Sequence, residues 1–325
     1  MTTQASGTDA LLIGMGIVSD SIVWLGGTNG TWARTTDGGL TWHTGVVPSA
    51  DSLQFRDAHG IDASTAYLLS IGNGPQSRIY RTGDGGTTWT LLFRSEDASA
   101  FFDCFGFWDD SSALAFSDSF EGRFRIISTT DGATWTAISP DVLPAAADGE
   151  GAFAASGTCL VTHGDSTAWI GTGASDNGAR VLRTADRGRT WSVASTPIVR
   201  GPSAGIASVA VRSPLELAAL GGDIAQPDSM TDNVALSTDG GETWTLGART
   251  PFPGAVYGAA YVPGAPSPAL VAVGPGGVAL SNDGAQTWTL LDTLNHWSVG
   301  FASPSRGWAV GPGGRITAIR LFRPN

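Results

Sequence analysis

The sequence predicts an all-β protein: one seven-bladed β-propeller over residues 1–325, built of four-stranded antiparallel blades, with the N-terminal segment completing the last blade. Three observations predict it. A short box centred on an aspartate recurs at blade-length intervals. Short apolar strands repeat ahead of each box. The composition is that of an all-β chain, with 45 glycines, 12 tryptophans, 14% charged residues and no long stretch of helical periodicity.

The box reads Thr35-Thr36-Asp37-Gly38-Gly39-Leu40-Thr41-Trp42 and returns at Thr82–Trp89, Thr184–Trp191, Ser237–Trp244 and Ser281–Trp288, with a copy one residue shorter from Thr129 to Trp135. Its aspartates are Asp37, Asp84, Asp131, Asp186, Asp239 and Asp283, separated by 47, 47, 55, 53 and 44 residues. An aspartate in a tight turn accepts hydrogen bonds from the backbone N–H groups that follow it, and glycine supplies the left-handed backbone such turns need. The tryptophan then opens the next strand and buries its ring between sheets. Each box is therefore expected to be the structural hairpin between the third and fourth strands of a blade.

The strands set the blade limits at residues 10–48, 53–94, 101–140, 152–196, 203–249 and 254–292. The seventh blade, 294–323, has no box; Trp308-Ala309-Val310-Gly311-Pro312-Gly313-Gly314 echoes Val271–Gly277, and one strand follows it. It lacks an outer strand, which residues 2–9 are expected to supply, closing the ring and removing free edges.

The charge balance is acidic, 18 Lys plus Arg against 29 Asp plus Glu, which argues against nucleic acid as a partner. No apolar run is long enough to span a membrane. The first ten residues do not read as a signal peptide, so the chain is cytoplasmic if this start is native and periplasmic or secreted if a signal peptide has been removed. It is read as a monomer. Four histidines without ligand spacing, and no phosphate loop, nucleophile elbow or dinucleotide fingerprint, give no metal and no cofactor.

The Thr-Asp-Gly-Gly-x-Thr-Trp boxes, together with Gly-Trp-Ala-Val-Gly segments such as Gly307–Gly311, resemble the photosystem II stability/assembly factor family across essentially the whole chain. That resemblance implies a seven-bladed propeller that binds a protein partner. Other Asp-box proteins are sialidases, whose N-terminal Phe-Arg-Ile-Pro-like motif Phe55-Arg56-Asp57-Ala58 does not match, and xyloglucanases, which use two propellers.

Boxes occupy one face, so long, charged loops gather on the other, and that face is expected to carry the site. The longest is Ile138–Ser156. The residues placed around this mouth for a partner or substrate are Arg56, Arg78, Glu121, Arg123, Arg180, Tyr257, His296 and Trp297. Aligned on their second strands, the innermost strands present Gly14, Asp57, Cys104, Cys159, Ala207 and Ser298 in one row. Asp57 is the one ionisable carboxyl there and needs a partner, Arg78 or Arg56, or a shifted pKa. Asp103 and Arg56 are expected to face each other across blades, and Cys104 and Cys159 to be small buried thiols. Two functions remain open. One is a scaffold binding a protein partner on the long-loop face. The other is a carbohydrate-active enzyme, a glycoside hydrolase or polysaccharide lyase, drawing its acid and base from Asp57, Asp103, Asp118 and Glu150. Two carboxyls facing a deep pocket favour the enzyme, and a mouth with an exposed apolar patch favours the scaffold.

Overall fold

Each box closes on a pivot that its leading hydroxyl supplies. In the first, Thr35 Oγ1 donates to Asp37 Oδ1 at 2.8 Å and accepts the Gly39 N–H at 2.8 Å. Asp37 in turn accepts the Thr41 N–H at 2.9 Å and the Thr41 hydroxyl at 2.6 Å. The same set recurs around Asp84, Asp239 and Asp283. Hydrogen bonds from the threonine hydroxyls hold the carboxyls of Asp37 and Asp283 down to about 2. The glycines take φ of 73° and 84° in the first box, while Arg187 (60°) and Ala285 (67°) are forced into the same left-handed region in later copies.

These turns join the outer strands of six of the seven four-stranded antiparallel sheets in a computed structural model that describes residues 1–322. Residue 323, the expected end of the seventh blade, lies outside the described residues. The innermost strands are Leu12–Ile17, Gln54–Gly60, Phe102–Phe107, Leu160–His163, Ala204–Val211, Gly258–Tyr261 and Ser298–Ser303. Thr2–Gln4 pairs antiparallel with Arg315–Ile319, Thr3 opposite Thr317, so the N-terminal segment does complete blade 7.

The core is seven apolar wedges, one between each pair of neighbouring blades. Trp24, Trp32, Phe55 and Leu68 fill the wedge between blades 1 and 2. Leu12, Leu25, Trp308 and Val310 close the ring between blades 7 and 1. Burying such side chains contributes roughly 1.5–3 kcal/mol each. Each blade buries both its faces in this way, which is why the second strands read as nearly unbroken apolar runs.

Two expectations about the innermost row are corrected. Cys104 and Cys159 are not thiols; they form a disulfide joining blades 3 and 4, with Cα atoms 6.1 Å apart. Cys104 lies on the inner strand of blade 3 and Cys159 immediately precedes that of blade 4, close enough for the bond to form. Ala207 does not belong to the row either. A β-bulge lies between Ile206 and Ser208, so Ser208 is the residue opposite Leu220.

Candidate functional site

The innermost strands of blades 1, 2, 3 and 5 each slip register once near their N-terminal ends, at Ile13, Arg56, Asp103 and Ala207. A bulge bends its strand and re-aims one side chain. Here it delivers Arg56 and Asp103 to the channel at the end facing away from the boxes.

Asp103 is 1% exposed and hydrogen-bonds the carboxyl of Asp118, at the far end of the neighbouring strand Ala113–Phe120. Burial, then repulsion from Asp118, pushes Asp103 well above the usual carboxylate range; burial pushes Asp118 up to about 6. The two share a proton, as close buried carboxyls do. Asp118 Oδ1 also accepts the Ala152 N–H at 2.9 Å, whereas Asp103 Oδ2 is buried with no partner among the described residues.

The expected Arg56–Asp103 ion pair is not formed. Arg56 donates instead to the carbonyl of Ala154 at 2.9 Å and to Gln54 Oε1 at 2.9 Å, and lies 5.2 Å over the ring of Trp297. Tyr257 packs edge-on against Trp297 at 4.9 Å. Arg56, Tyr257 and Trp297 therefore form one half-buried cation–aromatic cluster. Asp57 meets neither Arg56 nor Arg78. Its oxygens accept the N–H groups of Ala58 at 2.8 Å and of Phe105 at 2.9 Å, and burial raises its pKa well above the usual range.

Glu150 is 1% exposed and fully engaged. It accepts from Arg180 through both Nε (2.8 Å) and Nη2, from the Thr172 hydroxyl (2.6 Å) and from the Ala147 N–H (2.8 Å). This bidentate pair holds the long blade 3–4 connection down on blade 4.

What that connection then does has no counterpart in the other blades. Residues 153–158 descend into the channel and plug it. Ala154 takes the Arg56 guanidinium of blade 2. The Ser156 carbonyl accepts from Ser298 of blade 7 at 3.5 Å. Thr158 Oγ1 lies 2.7 Å from both Ser156 Oγ and Ser208 Oγ of blade 5. Gly157, at φ 80°, lies so close to Asp57 that a Cβ there would collide with its carboxyl.

The other residues expected at the mouth lie apart from this cluster. His296 is buried, bridging the Leu294 carbonyl and Thr317 Oγ1 at 3.0 Å each. Arg78 turns to the Pro75 carbonyl and Tyr80. Glu121 and Arg123 are exposed beside a groove of about 440 Å3 between blades 2 and 3, walled by Phe93, Phe102 and a 45% exposed Phe120, with Arg125 stacked on Phe120 at 4.9 Å. Sequence reasoning missed the bulges, the plug and this groove. The run of small residues Ala154–Gly157 was the signal available for the plug. Among the described residues, no group of three or more His, Cys, Asp or Glu is placed to hold a metal, and no helix is long and apolar enough to cross a membrane.

The BNR/Asp-box repeat model matches residues 235–246, the fifth box and its flanks. No curated protein matches the sequence significantly. Among solved structures, the chain is similar to YCF48 bound to D1 peptide, at 18% identity and TM-score 0.66, covering 98% of this chain and 96% of that one. YCF48 from Cyanidioschyzon merolae is similar at 16% identity and TM-score 0.65, covering 98% of each chain. The GH74 enzyme of Niastella koreensis is similar at 12% identity and TM-score 0.55, with 98% of this chain covering 44% of that one. At these identities the likeness is one of fold.

Proposed function

We propose that the chain is a propeller scaffold that binds a protein partner on the face opposite the boxes. The observation that carries this reading is the plugged mouth. Every carboxyl suggested as an acid or base is tied up inside the protein: Asp57 on two amides, Glu150 on Arg180, and Asp103 and Asp118 on each other. A glycosidase needs two carboxyls facing a substrate cleft, one able to donate a proton and one free as base or nucleophile. What the mouth offers instead is the Arg56–Trp297–Tyr257 cluster. Arginine and aromatic residues of this kind dominate protein–protein recognition. The similar fold solved with a bound peptide supports the same reading.

The test is a capture experiment with three baits: wild type, Arg56→Ala/Trp297→Ala, and Leu40→Ser on the box face. One stoichiometric protein partner is expected with wild type and Leu40→Ser, and about tenfold or greater weakening with the mouth variant. Equal recovery by all three baits, or turnover of any member of a panel of acidic oligosaccharides, overturns the proposal.

A further inference from the structure

The plug turns the central channel into a blind chamber. Beyond Thr158 and Ser298, towards the box face, lies a cavity of about 310 Å3. Its walls are half-buried or buried apolar side chains from the innermost strands of five blades: Met15, Ile17, Val161, Val211, Tyr261 and Phe301. Its floor carries Thr158 and Ser298, with the Thr158 hydroxyl held at 2.7 Å from those of Ser156 and Ser208 behind it. A cavity of this size is at the lower end of small-molecule pockets, roughly 300–1,000 Å3, and its apolar walls over a few polar atoms match their usual composition.

The surroundings restrict what enters. The chamber opens on the face that carries all six box aspartates, and Asp20 and Asp165 stand in the first-to-second-strand connections of blades 1 and 4, whose inner strands help wall it. In the boxes and these connections carboxylates outnumber the cations Arg187, Arg189, Arg212 and Arg306, so this face is anionic at neutral pH. The chain as a whole carries −11. Such a field repels anions and concentrates neutral or cationic molecules. The inference is independent of the partner-binding face, which lies at the other end of the channel.

We propose that this chamber is a binding site for a small, compact apolar molecule, neutral or cationic, which enters from the box face and rests its one polar atom on the Thr158 floor. A fatty-acid carboxylate is disfavoured by the anionic face, and a macromolecule by a volume of only about 310 Å3.

The experiment uses the whole protein and a neutral fluorescent probe, N-phenylnaphthylamine, with anionic anilinonaphthalene sulfonate as its charged counterpart. Saturable binding of one neutral probe per chain is expected, and binding about tenfold or more weaker for the anionic one. Val211→Phe and, independently, Met15→Trp fill the chamber and are expected to weaken the neutral probe by about tenfold or more, each being first checked for an unchanged melting transition. Phe120→Ser, in the blade 2–3 groove, is expected to leave it unchanged. Absence of saturable binding to wild type overturns the proposal. So does binding that survives both filling variants, or that is lost in Phe120→Ser, which would place the probe in the groove.

Discussion

The carboxylate of Asp57, on the innermost strand of blade 2, accepts the backbone N–H of Phe105 on the innermost strand of blade 3 at 2.9 Å, and that of its own neighbour Ala58 at 2.8 Å. One side chain thus satisfies two buried donors that belong to different blades. Asp57→Ala strands both amides and opens a void beside Gly157, for an expected loss of about 2–4 kcal/mol. Asp57→Asn keeps one acceptor and is expected to lose about half of that. Urea unfolding followed by tryptophan fluorescence measures both; an alanine variant within about 0.5 kcal/mol of wild type removes the cross-blade role from Asp57.

The Asp103–Asp118 pair gives the stability a pH dependence with a definite sign. In the unfolded chain an aspartate releases its proton near 3.8, whereas Asp118 in the fold holds it up to about 6 and burial raises Asp103 well above its usual value too. The folded state therefore binds more protons across that window. The pair's contribution is fully present below about pH 4 and is lost as pH rises through about 6, an effect on the order of 3 kcal/mol for Asp118. Urea midpoints collected from pH 4 to 8 are expected to fall for wild type and to flatten in Asp118→Asn. An equal slope in both assigns the dependence to other groups.

The propeller was legible in the sequence because its determinants are local. A box of eight residues contains its own donors, acceptors and left-handed glycines, so each copy announces a hairpin without help from the rest of the chain. The mouth was not legible for the opposite reason. Whether Arg56 meets Asp57, Asp103 or a loop carbonyl depends on a one-residue bulge, and a bulge flips a side chain without altering the apolar pattern that reveals the strand. Asp57, Asp103, Asp118 and Glu150 were found as the carboxyls near the channel, yet their partners are backbone amides, another carboxyl and Arg180, contacts set by the bulges and by the path of residues 145–158. The cysteines illustrate the limit further. Their shared row was visible, but bonding requires the Cα separation, which spacing in sequence does not fix.

The ion pair of Glu150 and Arg180 anchors the plug rather than the surface. Glu150→Gln keeps the shape but leaves the Arg180 guanidinium half-buried without its counter-charge, while Arg180→Ala strands a carboxylate that is 1% exposed. Removing one member of a buried pair costs about 3–5 kcal/mol. The alanine variant is expected to fall in that range and the glutamine variant below it. Hydrogen exchange of the amides from Ala145 to Thr158 is expected to rise in both, while the box hairpins keep their protection. Uniform loosening across all blades contradicts a local anchor.

The disulfide gives the remaining prediction. Cys104 and Cys159 are both fully buried, 55 residues apart in sequence, and tie blade 3 to blade 4 directly beneath the plug. Closing a loop of that length removes entropy from the unfolded chain worth ~4 kcal/mol in the chain-entropy model. The chain unfolded without reductant is expected to expose no thiol to a colorimetric thiol reagent, and two after reduction. The paired Cys104→Ala/Cys159→Ala variant is expected to unfold at lower urea with a similar slope, because the buried surface is nearly the same while the unfolded chain gains freedom. The native fold shields the bond, so a mild reductant is expected to act only as fast as the protein opens. Two titratable thiols in the unreduced, unfolded protein, or a double variant as stable as wild type, refutes the staple.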